Sequence, residues 1–224
     1  MIKIFMMNST ALAIFTKTIG LSKLKTRLSP TMTETEIHKL HLLNCQAIEE
    51  TVHMLKSIDS FWALAESQAI GQDIWSGLPN LDQGTGSLGE RLFHIFETLR
   101  PQYKNIIFIG ADSPQINHST IERSTELLKS YDFVLGPATD GGYYLFAGKE
   151  NVSKDIWSSV PYSSCDTYFV FKNKLEAIGT VAILESMTDI DDQSSLSHVI
   201  KEFAQLPIIR PTQQRIIEHL KRYS

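Results

Sequence analysis

The sequence predicts an α/β protein whose sheet is covered by helices on both faces. Two observations carry this. Strand-like and helix-like segments alternate along nearly the whole chain. Most strand-like segments are short, continuous apolar runs without a polar alternate face, as strands buried on both sides require. The 224 residues contain no linker, repeat or low-complexity stretch, so a single domain is expected, with a core over about 11–204 and a helical extension over 205–224.

The first strand is ALAIFTK (11–17), followed by the polar, glycine-containing loop TIGLSKLKTRLSP. Thr33 with Glu36 three residues on reads as a capping box. It opens a helix to about Lys56, with Ile37, Leu40, Leu43, Ala47, Ile48 and Leu55 at helical spacing. SFWALAE (60–66) is a second strand, and GQDIWSGLPNLDQGTG (71–86) a loop with one helical turn. LGERLFHIFETLR (88–100) is a helix, and KNIIFIG (104–110) is the most strand-like run in the chain. A helix over 117–130, capped by Asn117 or Ser119, leads to strands at 131–136 and 143–148. Residues 155–178 read as mostly helical, 180–185 as a strand, 193–204 as a helix, and the tail as one more helix.

Bulk properties exclude several function classes. A net charge of -4, with basic residues dispersed except at Lys17, Lys23, Lys25 and Arg27, argues against nucleic-acid binding. Two cysteines make no disulfide framework and fit a reducing cytoplasm. No run approaches the roughly 18 apolar residues of a membrane span. The N-terminal MIKIFMMNSTALAIFTK reads as leading into the first core strand, with Met6 or Met7 as alternative starts. As a targeting segment it would be interrupted by Asn8-Ser9-Thr10.

Ligands of such sheets gather at the carboxyl ends of the strands. Here those ends carry Lys17, Asp112, Asp140 and the pair Asp189/Asp191. One acid in such a place is an ordinary helix cap. Three acidic loops meeting a basic one suggest a hard divalent cation bridging to a phosphorylated substrate. The basic loop supplies lysine point charges and an arginine fork, without the spacing of a Walker A or Rossmann loop. Gln83-Gly84-Thr85-Gly86-Ser87-Leu88-Gly89-Glu90-Arg91 is a glycine-rich approach to a helix, whose backbone N–H groups suit an anion or a base edge. Gly84, Glu90 and Arg91 are its substrate-binding candidates. His38, His41 and Cys45 share a helical face but lack a fourth zinc ligand, and read as a helix surface. The three tryptophans read as core or pocket wall. In TDGGYYL (139–145), Gly141 and Gly142 would admit a ligand close to the backbone. Asp140 would face it, and Tyr143 and Tyr144 would alternate between core and cleft.

Together AIFTK…KTRL (13–28), LGERL (88–92), IGADSP (109–114), GPATDGGYYL (136–145), VPYSSCDT (160–167) and DIDD (189–192) resemble a bacterial family of glycosyltransferase-like proteins. Some of its members are associated with arsenosugar biosynthesis, and it is related to the nucleotide-diphospho-sugar transferases of the A-type glycosyltransferase fold. The resemblance implies a three-layer α/β/α domain with a mostly parallel sheet and Mg²⁺ or Mn²⁺ as cofactor. Its ligands would be a nucleotide-sugar or nucleotide and a small-molecule acceptor. It assigns Lys17, Lys25 and Arg27 to the phosphates, Asp112 and Asp191 to the metal, Asp140 and Asp191 to catalysis, and Gly141, Gly142 and Tyr143 to the substrate. The sequence departs from the family pattern at Ile19 for proline, Ser22 for glycine, and Asp192, Gln193 and Ser195 in the late acidic block. The implied activity is metal-dependent sugar transfer. A guanylyltransferase-like nucleotidyltransferase or a non-catalytic nucleotide-sugar-binding protein are the alternatives.

Overall fold

The computed structural model describes residues 9–224. The reading of residues 1–8, including the choice of starting methionine, lies outside them. The strands are β1 (Thr10–Thr16), β2 (Asp59–Leu64), β3 (Asn80–Asp82), β4 (Asn105–Gly110), β5 (Phe133–Pro137), β6 (Tyr143–Gly148) and β7 (Val181–Ile183). They form one seven-stranded sheet in the order β3-β2-β1-β4-β6-β5-β7. Every neighbouring pair is parallel except the two made by β6, which runs antiparallel to β4 and β5. The carboxyl ends of β1, β4, β5 and β7 therefore share one rim, where β6 begins.

The helices are α1 (Glu34–Val52), α2 (Leu88–Leu99), α3 (His118–Leu127), α4 (Lys154–Ser158), α5 (Thr167–Glu176), α6 (Gln193–Ala204) and α7 (Pro211–Leu220). The period-2 alternation of the strands sends Leu12, Ile14, Ile107 and Ile109 into one layer with Ile48 and Val52 of α1 and Ile121 of α3. Ala11, Ala13, Ile106 and Phe108 go to the other face, against α2, α4 and α5. Here Phe96, Phe108, Phe146, Trp157 and Phe171 pack ring on ring, Trp157 lying 4.9 Å from Phe171 and 5.0 Å from Phe146 between centroids. A third cluster joins α1 to α6 and α7 through Leu40, Leu43, Phe203, Ile216 and Leu220. Both faces are thus covered, which accounts for the continuous apolar strands. Among the described residues no helix is long and apolar enough to cross a membrane.

Several boundaries differ from the sequence reading. The Thr33/Glu36 capping box forms, with Glu36 Oε2 accepting from Thr33 N at 2.8 Å, but α1 ends at Val52. Beyond it, Met54 and Leu55 turn back to the carbonyls of Thr51 and Val52. Asn117, not Ser119, caps α3, accepting from Thr120 N at 2.8 Å. The stretch 155–178 is two helices, separated by Pro161 and by Ser163 at φ 62°. The short β3 lies in a segment read as loop. Asn and Asp are poor strand formers, and only pairing with the edge of β2 creates it.

Candidate active site at the carboxyl rim of the sheet

The loop after β1 turns at Gly20 (φ 81°) and reaches Lys25, which adopts a left-handed conformation (φ 40°, ψ 49°). For a residue with a Cβ this costs about 1–2 kcal/mol, and non-glycine residues held this way cluster at functional sites. The consequence is visible in the side chain. Lys25 is buried beneath the rim, only 4% exposed, and its Nζ donates to Asp112 Oδ1 at 2.5 Å and to the Ile190 carbonyl at 2.6 Å. Two residues on, Arg27 Nη1 donates to Asp191 Oδ2 at 2.6 Å, both side chains being exposed. The Ile190 N–H in turn donates to the Asp112 carbonyl at 2.9 Å. Loops after β1, β4 and β7, up to 165 residues apart in sequence, are thereby stitched together at one place.

Asp112 keeps its side chain 55% exposed, with Lys25 on one oxygen. Partial burial raises its proton affinity. The Lys25 charge and hydrogen bond outweigh that and hold the carboxyl below its usual range. Asp189 responds in the opposite sense. Burial, opposed by the Ser113 hydrogen bond and reinforced by the negative charges of Asp112 and Asp140, pushes it up to about 7. Ser113 Oγ donates to Asp189 Oδ1. The acids of the three loops therefore feel one another's charge.

The turn between β5 and β6 explains its own composition. Asp140 Oδ1 accepts from Gly142 N at 2.8 Å, closing an Asx turn. Gly141 is at φ 93°, and a Cβ there would lie 2.1 Å from the Cys165 carbonyl oxygen. Its own carbonyl accepts from Tyr168 N at 2.8 Å, docking the turn on the start of α5. Glycine is required here by backbone angle and by close approach. One oxygen of Asp140 serves the turn, while the residue itself is exposed at the rim.

Residues 48–164, just over half of the chain, match the family described as "uncharacterized protein conserved in bacteria (DUF2064)". The chain belongs to this family. No curated protein matches it significantly. Among solved structures, it is similar to a protein of Desulfovibrio desulfuricans G20 provisionally described as a nucleotide-diphospho-sugar transferase. The identity is 22%, the TM-score 0.84, and 97% of this chain and 99% of that one are covered. It is also similar to the 4-diphosphocytidyl-2C-methyl-D-erythritol synthase of Anaerococcus prevotii DSM 20548, at 13% identity and TM-score 0.56, covering 87% of this chain and 94% of that one. A CMP:2-keto-3-deoxy-manno-octonic acid synthetase bound to CTP follows at 13% identity and TM-score 0.55, covering 88% and 99%. These likenesses show that the fold is similar to that of these proteins.

In this DUF2064 chain Lys25 meets Asp112 and Arg27 meets Asp191. Lys17 is exposed at the same rim, close enough for its charge to favour the Asp112 anion. Other candidates have protein partners of their own. Glu90 closes the capping box of α2, accepting from Ser87 N at 3.0 Å, with Lys154 at 3.4 Å. Arg91 ties the glycine-rich loop to β2 through the carbonyls of Gly86 (3.1 Å) and Ala65 (2.8 Å). Gly84, at φ 73°, lies beside His94, where a Cβ would come within 3.2 Å. The expectation of one core and one cleft tyrosine is corrected. Both pack into the protein, Tyr143 against Phe171 at 5.2 Å and Tyr144 on the opposite face with its hydroxyl on the Glu185 carbonyl. The reason is that β6 is an interior strand, covered on both sides. Nor are His41 and Cys45 surface residues. His41 Nε2 donates to the Lys17 carbonyl at 2.8 Å, and burial pushes the Cys45 thiol up to about 12 despite its Thr16 contact, which suits a structural pair under the rim.

Asp189 makes the rim's pH response predictable. Its folded value of about 7 exceeds the ordinary 3.8, so between these values the folded state binds more protons than the unfolded one. Stability from this group therefore falls as pH rises from about 4 to 7 and levels above that. The Asp189→Asn variant, lacking the titration, is expected to melt like the wild type at pH 4 and higher than it at pH 8. A melting-point difference that stays constant or reverses across that range contradicts the assignment.

Proposed function

We propose that this chain is a metal-assisted transferase that moves a sugar from a nucleoside-diphosphate donor to the hydroxyl of a small acceptor. The observation that supports it most is the pairing of Lys25 and Arg27 with Asp112 and Asp191 at the carboxyl rim. A diphosphate needs cations, and a cation-bridged diphosphate needs hard oxygen ligands. Among the described residues no group of three or more His, Cys, Asp or Glu is preassembled for a metal. That suits Mg²⁺ or Mn²⁺, which are commonly held by one or two carboxylates and completed by substrate phosphates. The free oxygen of the exposed Asp112 carboxylate and that of Asp191 fit this donor set. A bound ion would offset charge on the departing diphosphate.

The chain's own groups account for the rest. Lys25 and Arg27 exchange their carboxylate partners for phosphate oxygens, Arg27 as a bidentate fork and Lys25 as a point charge. Lys17 adds a third cation from the same loop. The Gly84 N–H is taken by Asp82 Oδ1 at 2.8 Å, and the backbone at Thr85 and Gly86 offers N–H groups to the nucleotide. Gly141 and Gly142 shape the turn that holds Asp140 at the exposed rim, and Asp140 accepts the proton of the acceptor hydroxyl as the bond to the sugar forms.

Nucleotidyl transfer is the second reading. The two cations lie directly on the rim acids, a placement equally suited to an attacked α-phosphate and departing pyrophosphate. The products decide. The protein is incubated with Mg²⁺ or Mn²⁺ and a panel of nucleoside-diphosphate sugars and nucleoside triphosphates. The acceptors offered are sugars, sugar phosphates and arsenic-bearing precursors. Release of nucleoside diphosphate is the expected result. Pyrophosphate release with GTP or CTP would establish the second reading instead, and tight binding without any product would leave a nucleotide-sugar-binding protein.

A further inference from the structure

The three acidic loops belong to different strands, and something must hold them in mutual register. Behind the rim lies a polar cluster that no motif announces. Glu202, in the third turn of α6, accepts three hydrogen bonds. Thr188 Oγ1 donates to its Oε1 at 2.5 Å, while Thr188 N at 3.1 Å and Gln115 Nε2 at 2.8 Å donate to its Oε2. Gln115 Nε2 also donates to the Thr188 carbonyl at 2.6 Å. The Thr188 hydroxyl, having given its proton to Glu202, accepts from Thr139 Oγ1 at 3.3 Å. Gln115 and Thr188 are 2% and 5% exposed, so water cannot replace these partners freely.

Each partner stands next to a rim acid. Gln115 belongs to the loop of Asp112, Thr139 precedes Asp140, and Thr188 precedes Asp189 and the loop of Asp191. The backbone continues the same join, with Met187 N on the Pro137 carbonyl and Thr139 N on the Met187 carbonyl, both at 3.0 Å. We propose that Glu202 is a positioning residue whose carboxylate, through Thr188 and Gln115, locks the loops of Asp112, Asp140 and Asp189/Asp191 into one arrangement. It touches neither substrate nor metal. It sets where the groups that do so stand, and its importance for ligand binding rests on the reading of the rim given above.

Amide hydrogen exchange tests the lock without any ligand. In Glu202→Ala, protection is expected to fall about tenfold or more together in residues 112–116, 138–142 and 187–192, while the interiors of β1 and β4 stay within about twofold of the wild type. Glu202→Gln should restore the protection, because its amide oxygen still accepts and the Thr188 hydroxyl can reverse to accept from the new NH₂. Loss confined to 187–192 and α6, loss spread evenly over the sheet, or equal loss in both variants would overturn the proposal. Should Glu202→Ala not fold, Thr188→Val, which removes the hydroxyl joining Glu202 to Thr139, is expected to lower protection together in 138–142 and 187–192, and protection unchanged in 138–142 would overturn the proposal. Binding of Mn²⁺ with inorganic pyrophosphate, measured by calorimetry, should weaken about 10–100-fold in the alanine variant, the range for residues that orient metal ligands. If the wild type itself does not bind that pair, the functional reading of the rim fails while the exchange result still decides the lock.

Discussion

Asp112→Asn is expected to lower the affinity for Mn²⁺ with a nucleoside diphosphate by about 100-fold or more, at least the upper range seen when groups that merely orient metal ligands are removed. The substitution is chosen to isolate charge. An asparagine oxygen still accepts from Lys25 Nζ, which in the wild type sits 2.5 Å from Asp112 Oδ1. What disappears is the negative charge that both the metal and the buried ammonium require. Lys25 is 4% exposed and its partner 55%, so the pair lies between the exposed and the buried extremes. Its loss should cost about 1–2 kcal/mol, a melting point lower by roughly 2–8 °C for a chain of this size. Adding Lys25→Met, which removes the stranded cation, should recover part of that stability and none of the affinity. Calorimetry and thermal melting on the single and double variants separate the two effects. Binding by Asp112→Asn indistinguishable from wild type would remove this residue from the site.

Asp140→Asn should lower turnover by about 10²–10⁴-fold, the usual range for loss of a general acid or base, with the melting point almost unchanged. The structure is what makes the second half of that statement possible. Asp140 Oδ1 closes the Asx turn on Gly142 N at 2.8 Å, and asparagine closes the same turn equally well. The variant therefore keeps the chain path of the turn and loses only the capacity to take a proton. Asp140→Ala, which loses the turn as well, should melt lower. Turnover of Asp140→Asn close to wild type would reduce Asp140 to a turn residue.

Much of this protein is legible along the chain. The Thr33–Glu36 box, the Asn117 cap and the apolar runs of β1 and β4 are local, and each signals its element without reference to the rest. The alternation of those elements gives the fold class, and the rule that ligands gather at strand ends points to Lys17, Asp112, Asp140 and Asp189/Asp191, with Lys25 and Arg27 in the basic loop that follows the first strand. What the local pattern leaves out has a common cause. Glu90 and Arg91 stand in a glycine-rich motif that suggests ligand chemistry, and the motif does not reveal their protein partners, Ser87 and the Ala65 carbonyl. Tyr143 alternates as a strand residue should. No alternation reveals that helices cover both faces of β6.

Local pattern, then, was enough to place most strands and helices, though not β3 or the break between α4 and α5, and to say which strand ends carry charge, because capping, apolar periodicity and glycine angles act over a few residues. Contacts between distant segments decided the rest. Lys25 turns under the rim onto Asp112, Asp189 holds its proton to about pH 7, and Glu202 joins three loops that share no motif. These depend on distance and solvent exclusion among residues that meet only once the sheet has closed. Electrostatic energy falls off with separation and is strengthened by burial, and neither quantity is written in the order of the amino acids.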